Sequence, residues 1–267
     1  MRPEEIKALA SIISGVGTDS FGSTIDSGLR RKVKFDMSCA FLFGFNHDAI
    51  VVHDGYGGSI PEQTLSSYVR GGYLLDPFYV ACMNGHPAGL WRMSALAPDS
   101  FFSSGFAISK DIHPCVSSEH GTSVDEVGFI VPIRPQLAVV YSLMKYADGG
   151  PFQKWEMQEL AAITPIITSA FELHCRINYN EVIVNPERAD IEMEDAFMGM
   201  MRGQLTDAQR QVAKLILQGH SSASIASRLR ISDGTVKVHK HNIYQRLNIS
   251  TNAELFRLFI NYLAKAS

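Results

Sequence analysis

The chain has 267 residues, 46% apolar and 19% charged, which is the composition of a globular protein and excludes a disordered chain. This length is enough for two domains, and no stretch reaches the roughly 18 consecutive apolar residues that a membrane helix needs. The first residues lack the basic start and apolar run of a secretory signal, and the four cysteines form no CxxC pair. We therefore expect a cytoplasmic protein without disulfides.

Charge is distributed unevenly along the chain, although the net formal charge is only −3. From residue 201 onward, ten lysines and arginines stand against three acidic residues, which gives a net charge of +7. The preceding 200 residues therefore carry −10. A compact basic region joined to an acidic one predicts that only the carboxyl-terminal part binds a polyanion.

The first 60 residues change from a helical to a strand pattern. Apolar residues recur at three-to-four spacing in residues 3–14 and 20–32, which predicts two amphipathic helices. Short apolar runs at 37–45 and 49–55, separated by polar residues, then predict an antiparallel hairpin. A mixed α and β domain begins here.

The middle of the chain continues this alternation. Residues 61–85 have a helical pattern that breaks at a Gly-Gly pair, with Asp76 as the N-cap of a helix that begins at Pro77. A second hairpin is predicted at 126–134 and 137–146, and a long helix at 151–177. Residues 1–177 are therefore expected to form an α+β domain, an α/β/α sandwich with helices on both faces of an antiparallel sheet.

Residues 178–203 are acidic and lack a clear period, so we place an interdomain linker there. An all-α domain of four short helices is predicted for residues 204–267. Its predicted caps are Thr206 with Gln209 for the first helix, Ser222 for the second, Ser232 for the third, and Thr251 with Glu254 for the fourth.

The third of these helices has two different faces. Its buried stripe consists of Val236, Ile243 and Leu247. The opposite face carries Val238, His241, Asn242 and Gln245, with Lys237 and Lys240 on the flanks. Hydrogen-bonding side chains beside a small apolar one are what contacts base edges in the DNA major groove. Lysines at the flanks of such a face can contact the phosphates.

These carboxyl-terminal residues resemble the LuxR-type helix-turn-helix over about fifty positions. The positions that carry the resemblance include Leu205, Thr206, Val212, Gly219, Ile225, Ala226, Leu229, Thr235, Val236, Lys237, His239, Ile243, Tyr244, Leu247, Glu254 and Leu255. It implies a transcription regulator that binds double-stranded DNA, with Lys237, Val238 and His241 at base edges. Thr235 and Lys240 would lie nearer the phosphates, whereas His239 is either a packing residue or a DNA contact.

The first domain resembles the autoinducer-binding domain of acyl-homoserine-lactone regulators. The resemblance rests on Tyr68, Tyr73, Asp76, Pro77, Trp91 and Gly128. It implies a pocket in which the aspartate accepts a hydrogen bond from a ligand amide and the tryptophan donates to a carbonyl. Further aromatic residues suited to an apolar pocket are Phe41, Phe43, Phe78 and Tyr79. Thr64 stands where the family usually has a tryptophan, so the sequence favours a ligand other than an acyl-homoserine lactone, although the lactone stays an alternative. A buried carboxylate at Asp76 needs a hydrogen-bond donor, which suits a ligand with an amide or amine.

Other interpretations stay open at this point. Asp76 could be only a helix cap, and the first domain could serve only homodimerisation or docking of a protein partner, without a small-molecule effector. The sequence has no GxSxG, Walker, HExxH or GxGxxG motif, so we expect neither an enzyme nor a cofactor. A cluster of His113, Cys115, Glu119 and His120 matches no common metal-ligand spacing, and no metal site is predicted.

Overall fold

The computed structural model of the chain describes residues 3–44, 48–110, 114, 124–135, 137–184, 201 and 203–266. Its strands are β1 (Met37–Gly44), β2 (Ile50–Gly55), β3 (Gly89–Arg92), β4 (Val124–Arg134) and β5 (Leu137–Tyr146). They form one antiparallel sheet in the order β2-β1-β5-β4-β3. The two predicted hairpins therefore lie next to each other, joined by the pairing of β1 with β5.

Seven helices of the described residues precede or flank this sheet. They are α1 (Pro3–Gly15), α2 (Phe21–Leu29), α3 (Glu62–Val69), α4 (Pro77–Met83), α5 (Met93–Leu96), α6 (Lys154–Asn178) and α7 (Asn180–Val184). All eight residues of β1 are buried, because the sheet is covered on both faces. Ala40 and Leu42 pack towards α2 and α6, whereas Phe41 and Phe43 pack towards α3 and α4. The predicted α/β/α sandwich is confirmed.

A buried ion pair joins the sheet to α6. Lys145 of β5 donates to both carboxylate oxygens of Glu156, at 2.8 and 2.7 Å, and both side chains are almost fully buried. Glu156 lies in the first turn of α6 and also accepts a hydrogen bond from the Gln153 amide. The Glu156 carboxylate therefore has two roles, because it caps the helix and also connects the helix to the sheet.

The carboxyl-terminal region consists of four helices. They are α8 (Asp207–Leu217), α9 (Ser222–Leu229), α10 (Asp233–Leu247) and α11 (Asn252–Ala266). Val212, Ile225, Val236, Ile243 and Phe259 form its buried centre. The predicted four-helix architecture is confirmed, and so are three of the four predicted caps, including the reciprocal hydrogen bonds between Thr206 and Gln209.

Three sequence predictions differ from the structure. The second carboxyl-terminal helix is capped by Ser221 and not by Ser222, since the Ser221 hydroxyl accepts the hydrogen bond from the Ser224 amide. Trp155 belongs to the apolar pattern that predicts the long helix at 151–177, which favours burial, but 55% of it is exposed. Strand β3 was not predicted, because four residues are too few to show a period of two.

The proposed domain limits of 1–177, 178–203 and 204–267 remain a prediction, since residues 185–200 and 202 lie outside the described part of the chain. Helix α6 ends at Asn178, close to the predicted end of the first domain. Within the described residues, no helix is long and apolar enough to cross a membrane. Cys39, Cys82 and Cys175 are free thiols.

Candidate ligand cavity and nucleic-acid interface

A small cavity lies between the sheet and the segment that runs from α3 to α4. Its volume is about 10 Å³, which is room for about one water molecule. Four of the six residues predicted to bind a ligand line it, namely Phe41, Phe43, Tyr68 and Asp76. The structure thus brings together residues from β1, from α3 and from the start of α4.

Asp76 is the buried polar centre of this cavity. One carboxylate oxygen accepts a hydrogen bond from the Tyr68 hydroxyl at 2.8 Å, and the other accepts from the Phe78 amide at 2.8 Å. Burial raises the pKa of Asp76 to about 6, although these donors favour the ionised form. The carboxylate is therefore a helix cap, as predicted, and also a polar group inside an apolar cavity.

The other two predicted ligand residues lie outside the cavity lining. The ring of Tyr73 stacks on Phe43 at 5.9 Å, so it lies behind a cavity wall. Trp91 lies on β3, and its indole N–H donates to the Pro87 carbonyl at 3.0 Å. The indole N–H of Trp91 is therefore already hydrogen-bonded to a backbone carbonyl.

Sequence reasoning missed further cavity residues, among them Cys39, Glu126 and Ser142. Glu126 lies two residues before Gly128 on β4, so both face the same side of the sheet. Every second residue of a strand faces the same side, so Gly128 of the predicted pocket pattern could have pointed to Glu126 if polar residues had been accepted as pocket residues. Gly128 has a packing role, since a Cβ atom there would lie 2.6 Å from the Phe78 ring.

The predicted DNA-contacting residues lie on the outer side of α10. Thr235, Lys237, Val238, His241 and Gln245 are exposed, and Lys240 is half-buried. Val238 is an apolar side chain that is 59% exposed, on the face away from the buried Val236 and Ile243. Lys237 forms an exposed ion pair with Asp233 at 2.7 Å, and Lys240 lies 5.5 Å from the Tyr244 ring. This face presents cations and hydrogen-bonding groups around one small apolar side chain.

The two candidate sites are joined by a contact between the loop after α5 and the start of α9. The Ser100 amide donates to the Gly219 carbonyl at 3.0 Å, and the Ser221 amide donates to Asp99 at 2.9 Å. Gly219 has a φ of +88°, and a Cβ atom there would lie 2.7 Å from the Phe101 backbone. A glycine thus permits both the backbone turn and this close approach.

Comparison with known proteins agrees with this arrangement. Residues 203–259 match the family of bacterial regulatory proteins described as the luxR family. The chain is 30% identical over 200 residues to an HTH-type transcriptional regulator of Aeromonas salmonicida, assigned by inference and named for the exeN 3′ region. That match covers 72% of this chain and 96% of the relative. This chain belongs to the LuxR family.

Two further similarities each cover more than half of this LuxR-family chain. The chain is 24% identical over 185 residues to YhjB of Escherichia coli K12, a regulator also assigned by inference. This alignment covers 58% of this chain and 91% of YhjB. The LBD domain of VqsR from Pseudomonas aeruginosa has a similar fold, with a TM-score of 0.56 and 16% identity. That alignment covers 66% of this chain and 98% of the VqsR domain.

The predicted LuxR-type helix-turn-helix and the autoinducer-binding-like fold of the first domain are therefore confirmed, and the family is one of transcription regulators. His113, Cys115, Glu119 and His120 lie outside the described residues. Among the residues that the structure does describe, no group of three or more potential metal ligands occurs.

Proposed function

We propose that this LuxR-type regulator binds a small molecule in the cavity beside Asp76, and that this ligand controls how α10 binds double-stranded DNA. The observation that carries the proposal is a buried carboxylate within aromatic walls. A buried carboxylate destabilises a fold unless it is hydrogen-bonded. Asp76 accepts from Tyr68 and from the Phe78 and Tyr79 amides, and a carboxylate has about four acceptor sites, so it retains capacity for one more donor. A ligand donor would use that capacity.

The cavity has a direct packing route to the DNA-binding helices. The Tyr68 ring lies 6.5 Å from Phe106, and Phe106 lies 6.0 Å from Phe101. Phe101 packs against Gly219 at the end of α8, within the same apolar cluster as Val212. A displacement of Tyr68 by a ligand therefore acts on a chain of contacts that ends at the helix-turn-helix.

The cavity is much smaller than the roughly 300 to 1,000 Å³ of typical ligand sites. In this proposal the small cavity is a closed state, and α3 and α4 would move away from the sheet to admit a ligand. A ligand that binds only the open state would shift the population of the regulator towards that state. This mechanism makes the ligand an effector of DNA binding.

The Asp76→Asn variant tests the cavity. Asparagine caps a helix about as well as aspartate, so the melting temperature without ligand should change little. The charge-assisted hydrogen bond to a ligand would be lost, which corresponds to about 1.5 to 3 kcal/mol, or roughly a 10- to 100-fold loss of affinity. Thermal shifts across a metabolite panel would measure this. Asp148→Asn, at an exposed aspartate outside the cavity lining, is the matched control.

A second prediction concerns the DNA contacts proposed for α10. Lys237→Ala and His241→Ala should weaken binding to operator DNA more than binding to random DNA, because both residues would contact base edges. Lys240→Ala should reduce both affinities alike, because a phosphate contact carries no sequence information. Competition binding with the two DNAs measures the ratio. Equal losses in all three variants would show that a different face of α10 meets the DNA.

The regulator would act as a homodimer, which we infer from apolar side chains exposed on α1 and α6. Ile13 is 72% exposed, and Leu173 and Ile177 are about half exposed. The same observation supports a second candidate function, in which the first domain only dimerises or docks a partner and DNA binding needs no ligand. This second function would be favoured if no metabolite altered the operator affinity and the protein stayed dimeric with and without each metabolite.

A further inference from the structure

A groove on the surface of the sandwich is larger than the cavity beside Asp76. Its volume is about 480 Å³, which is within the roughly 300 to 1,000 Å³ of typical ligand sites. It lies where the connection from α2 to β1 meets the end of β5 and the first turn of α6. No described residue lines both cavities. The groove is therefore a separate space that can hold a ligand without any movement of the chain.

This groove is positively charged, although the first 200 residues carry a net charge of −10. Its described lining contains two carboxylates, Asp36 and Glu156, and five cations, namely Arg30, Arg31, Lys32, Lys34 and Lys145. Glu156 is paired with Lys145, and the Asp36 carboxylate accepts a hydrogen bond from the Tyr146 amide at 2.8 Å. The excess of positive charge favours an anionic ligand.

Two of these cations have no partner among the described residues. The side chains of Arg31 and Lys34 are exposed, and no described residue forms a hydrogen bond or an ion pair with either of them. The Arg30 guanidinium, by contrast, donates to the carbonyls of Phe35 and Asp36. An arginine and a lysine in one groove suit a phosphate group, because the guanidinium can donate two parallel hydrogen bonds and the ammonium adds a point charge.

The backbone holds this part of the groove in place. The Lys34 amide donates to the Glu156 carboxylate, and the Asp36 amide donates to the Met144 carbonyl at 2.8 Å. Val33 and Phe35 are buried, so a movement of this segment would expose apolar surface. A site that is already ordered loses little conformational entropy when it binds a ligand.

Trp155 supplies an aromatic wall to the groove. It lines the groove from the first turn of α6 and is 55% exposed, although it belongs to the apolar pattern of that helix. A planar ring that stacks on the indole would remove apolar surface of both rings from water. Nucleobases stack on aromatic side chains in this way, because every base has a π face. This exposed indole is an observation independent of the charges, and it indicates a ligand with a planar ring.

We propose that this groove binds a nucleotide, with its base stacked on Trp155 and its phosphate groups held by Arg31 and Lys34. The volume of the groove suits one such small molecule, whereas a DNA duplex needs an extended basic face. This site goes beyond the proposed function, because it shares no described residue with the cavity beside Asp76. Either site can therefore be wrong without the other.

The test uses the full chain in buffer without a divalent cation. The probes are ADP, GDP and UDP, their three nucleosides, and pyrophosphate. In titration calorimetry we expect at least one diphosphate to bind roughly tenfold or more tightly than its nucleoside, because only the diphosphate forms charge-assisted hydrogen bonds. Its affinity should fall as salt is added, since the proposed contacts are exposed.

Three variants separate the phosphate contacts from the ring contact. Arg31→Gln and Lys34→Gln should each lower the affinity for the diphosphate and for pyrophosphate by roughly tenfold. Trp155→Leu should lower the affinity for the diphosphate but not for pyrophosphate, because it keeps an apolar side chain and removes the ring. Lys7→Gln, at an exposed lysine of α1, should change neither affinity.

Tryptophan fluorescence reports where the base lies. The chain has two tryptophans, so Trp155 is the remaining one in the Trp91→Phe variant. A nucleotide that stacks on Trp155 should quench the emission of this variant, whereas pyrophosphate should not. Unchanged emission at a saturating diphosphate concentration would show that the base lies elsewhere, and would overturn the proposal.

The remaining outcomes are equally decisive. The proposal is wrong if no diphosphate binds the native chain, or if Arg31→Gln and Lys34→Gln leave the diphosphate affinity unchanged. If no nucleotide binds and these two variants weaken operator binding, the groove contacts DNA phosphates instead. If no nucleotide binds and Trp155→Leu dissociates a dimer, the exposed indole belongs to an interface between two copies of the chain.

Discussion

Replacing Lys145 with methionine is expected to lower the free energy of unfolding by about 3 to 5 kcal/mol, because it leaves the Glu156 carboxylate buried without its cation. In the native chain, Lys145, together with the Gln153 amide, holds the pKa of Glu156 below its usual value, although burial acts in the opposite direction. Chemical denaturation at pH 7 would measure the loss. The loss should shrink in acid, as the variant's unpaired Glu156 becomes protonated.

Two controls separate burial from charge in this prediction. Lys32→Met breaks a partly exposed ion pair with Glu159, which lies on α6 like Glu156. This variant should lower the free energy of unfolding by less than about 1 kcal/mol. The double variant Lys145→Met, Glu156→Leu should recover most of the stability, since it leaves no buried charge. Similar losses in Lys145→Met and Lys32→Met would contradict the view that the buried pair joins α6 to the sheet.

Operator affinity is expected to fall about 10³-fold when the salt concentration rises from 50 to 200 mM. The net charge of +7 from residue 201 onward and the lysines flanking α10 indicate about three phosphate contacts per subunit, hence about six in the proposed homodimer. Each contact releases counterions when it forms, so the logarithm of affinity falls with that of salt with a slope near −5. Fluorescence anisotropy across a salt series measures this slope.

Single lysine variants make this salt prediction specific. Lys240→Gln should reduce the slope by about 2, because the homodimer would lose two phosphate contacts. Lys7→Gln changes an exposed lysine on α1 of the acidic domain and should leave the slope unchanged. A slope near zero for the native chain, or the same change in both variants, would place the phosphate contacts elsewhere.

The sequence predicted the carboxyl-terminal helices better than the surroundings of the cavity. A helix cap is a local feature, so Thr206 and Gln209 could be recognised three residues apart, and they do form reciprocal hydrogen bonds. The shift of a cap from Ser222 to Ser221 shows the limit of this reasoning. Two adjacent serines offer equal local caps, and contact of Ser221 with Asp99, 122 residues away, accompanies the choice.

The cavity depends on pairing between distant parts of the chain. Asp76 was found because its N-cap position is local, whereas Glu126 and Ser142 approach it only through the register of β4 and β5. No periodicity of one segment specifies that register. Trp91 illustrates the same limit, because its place in the sheet depends on the unpredicted β3 and its pairing with Gly128.

The hydrogen bonds of Asp99 also affect how the molecule unfolds. The backbone amide and the hydroxyl of Ser221 both donate to this carboxylate, so the first turn of α9 is stabilised by a residue of the other half of the chain. Opening either half alone would break these bonds and expose Phe101 to water. Partial unfolding of one half therefore costs more free energy than it would for two independent modules, so the stabilities of the sandwich and of the DNA-binding helices are coupled.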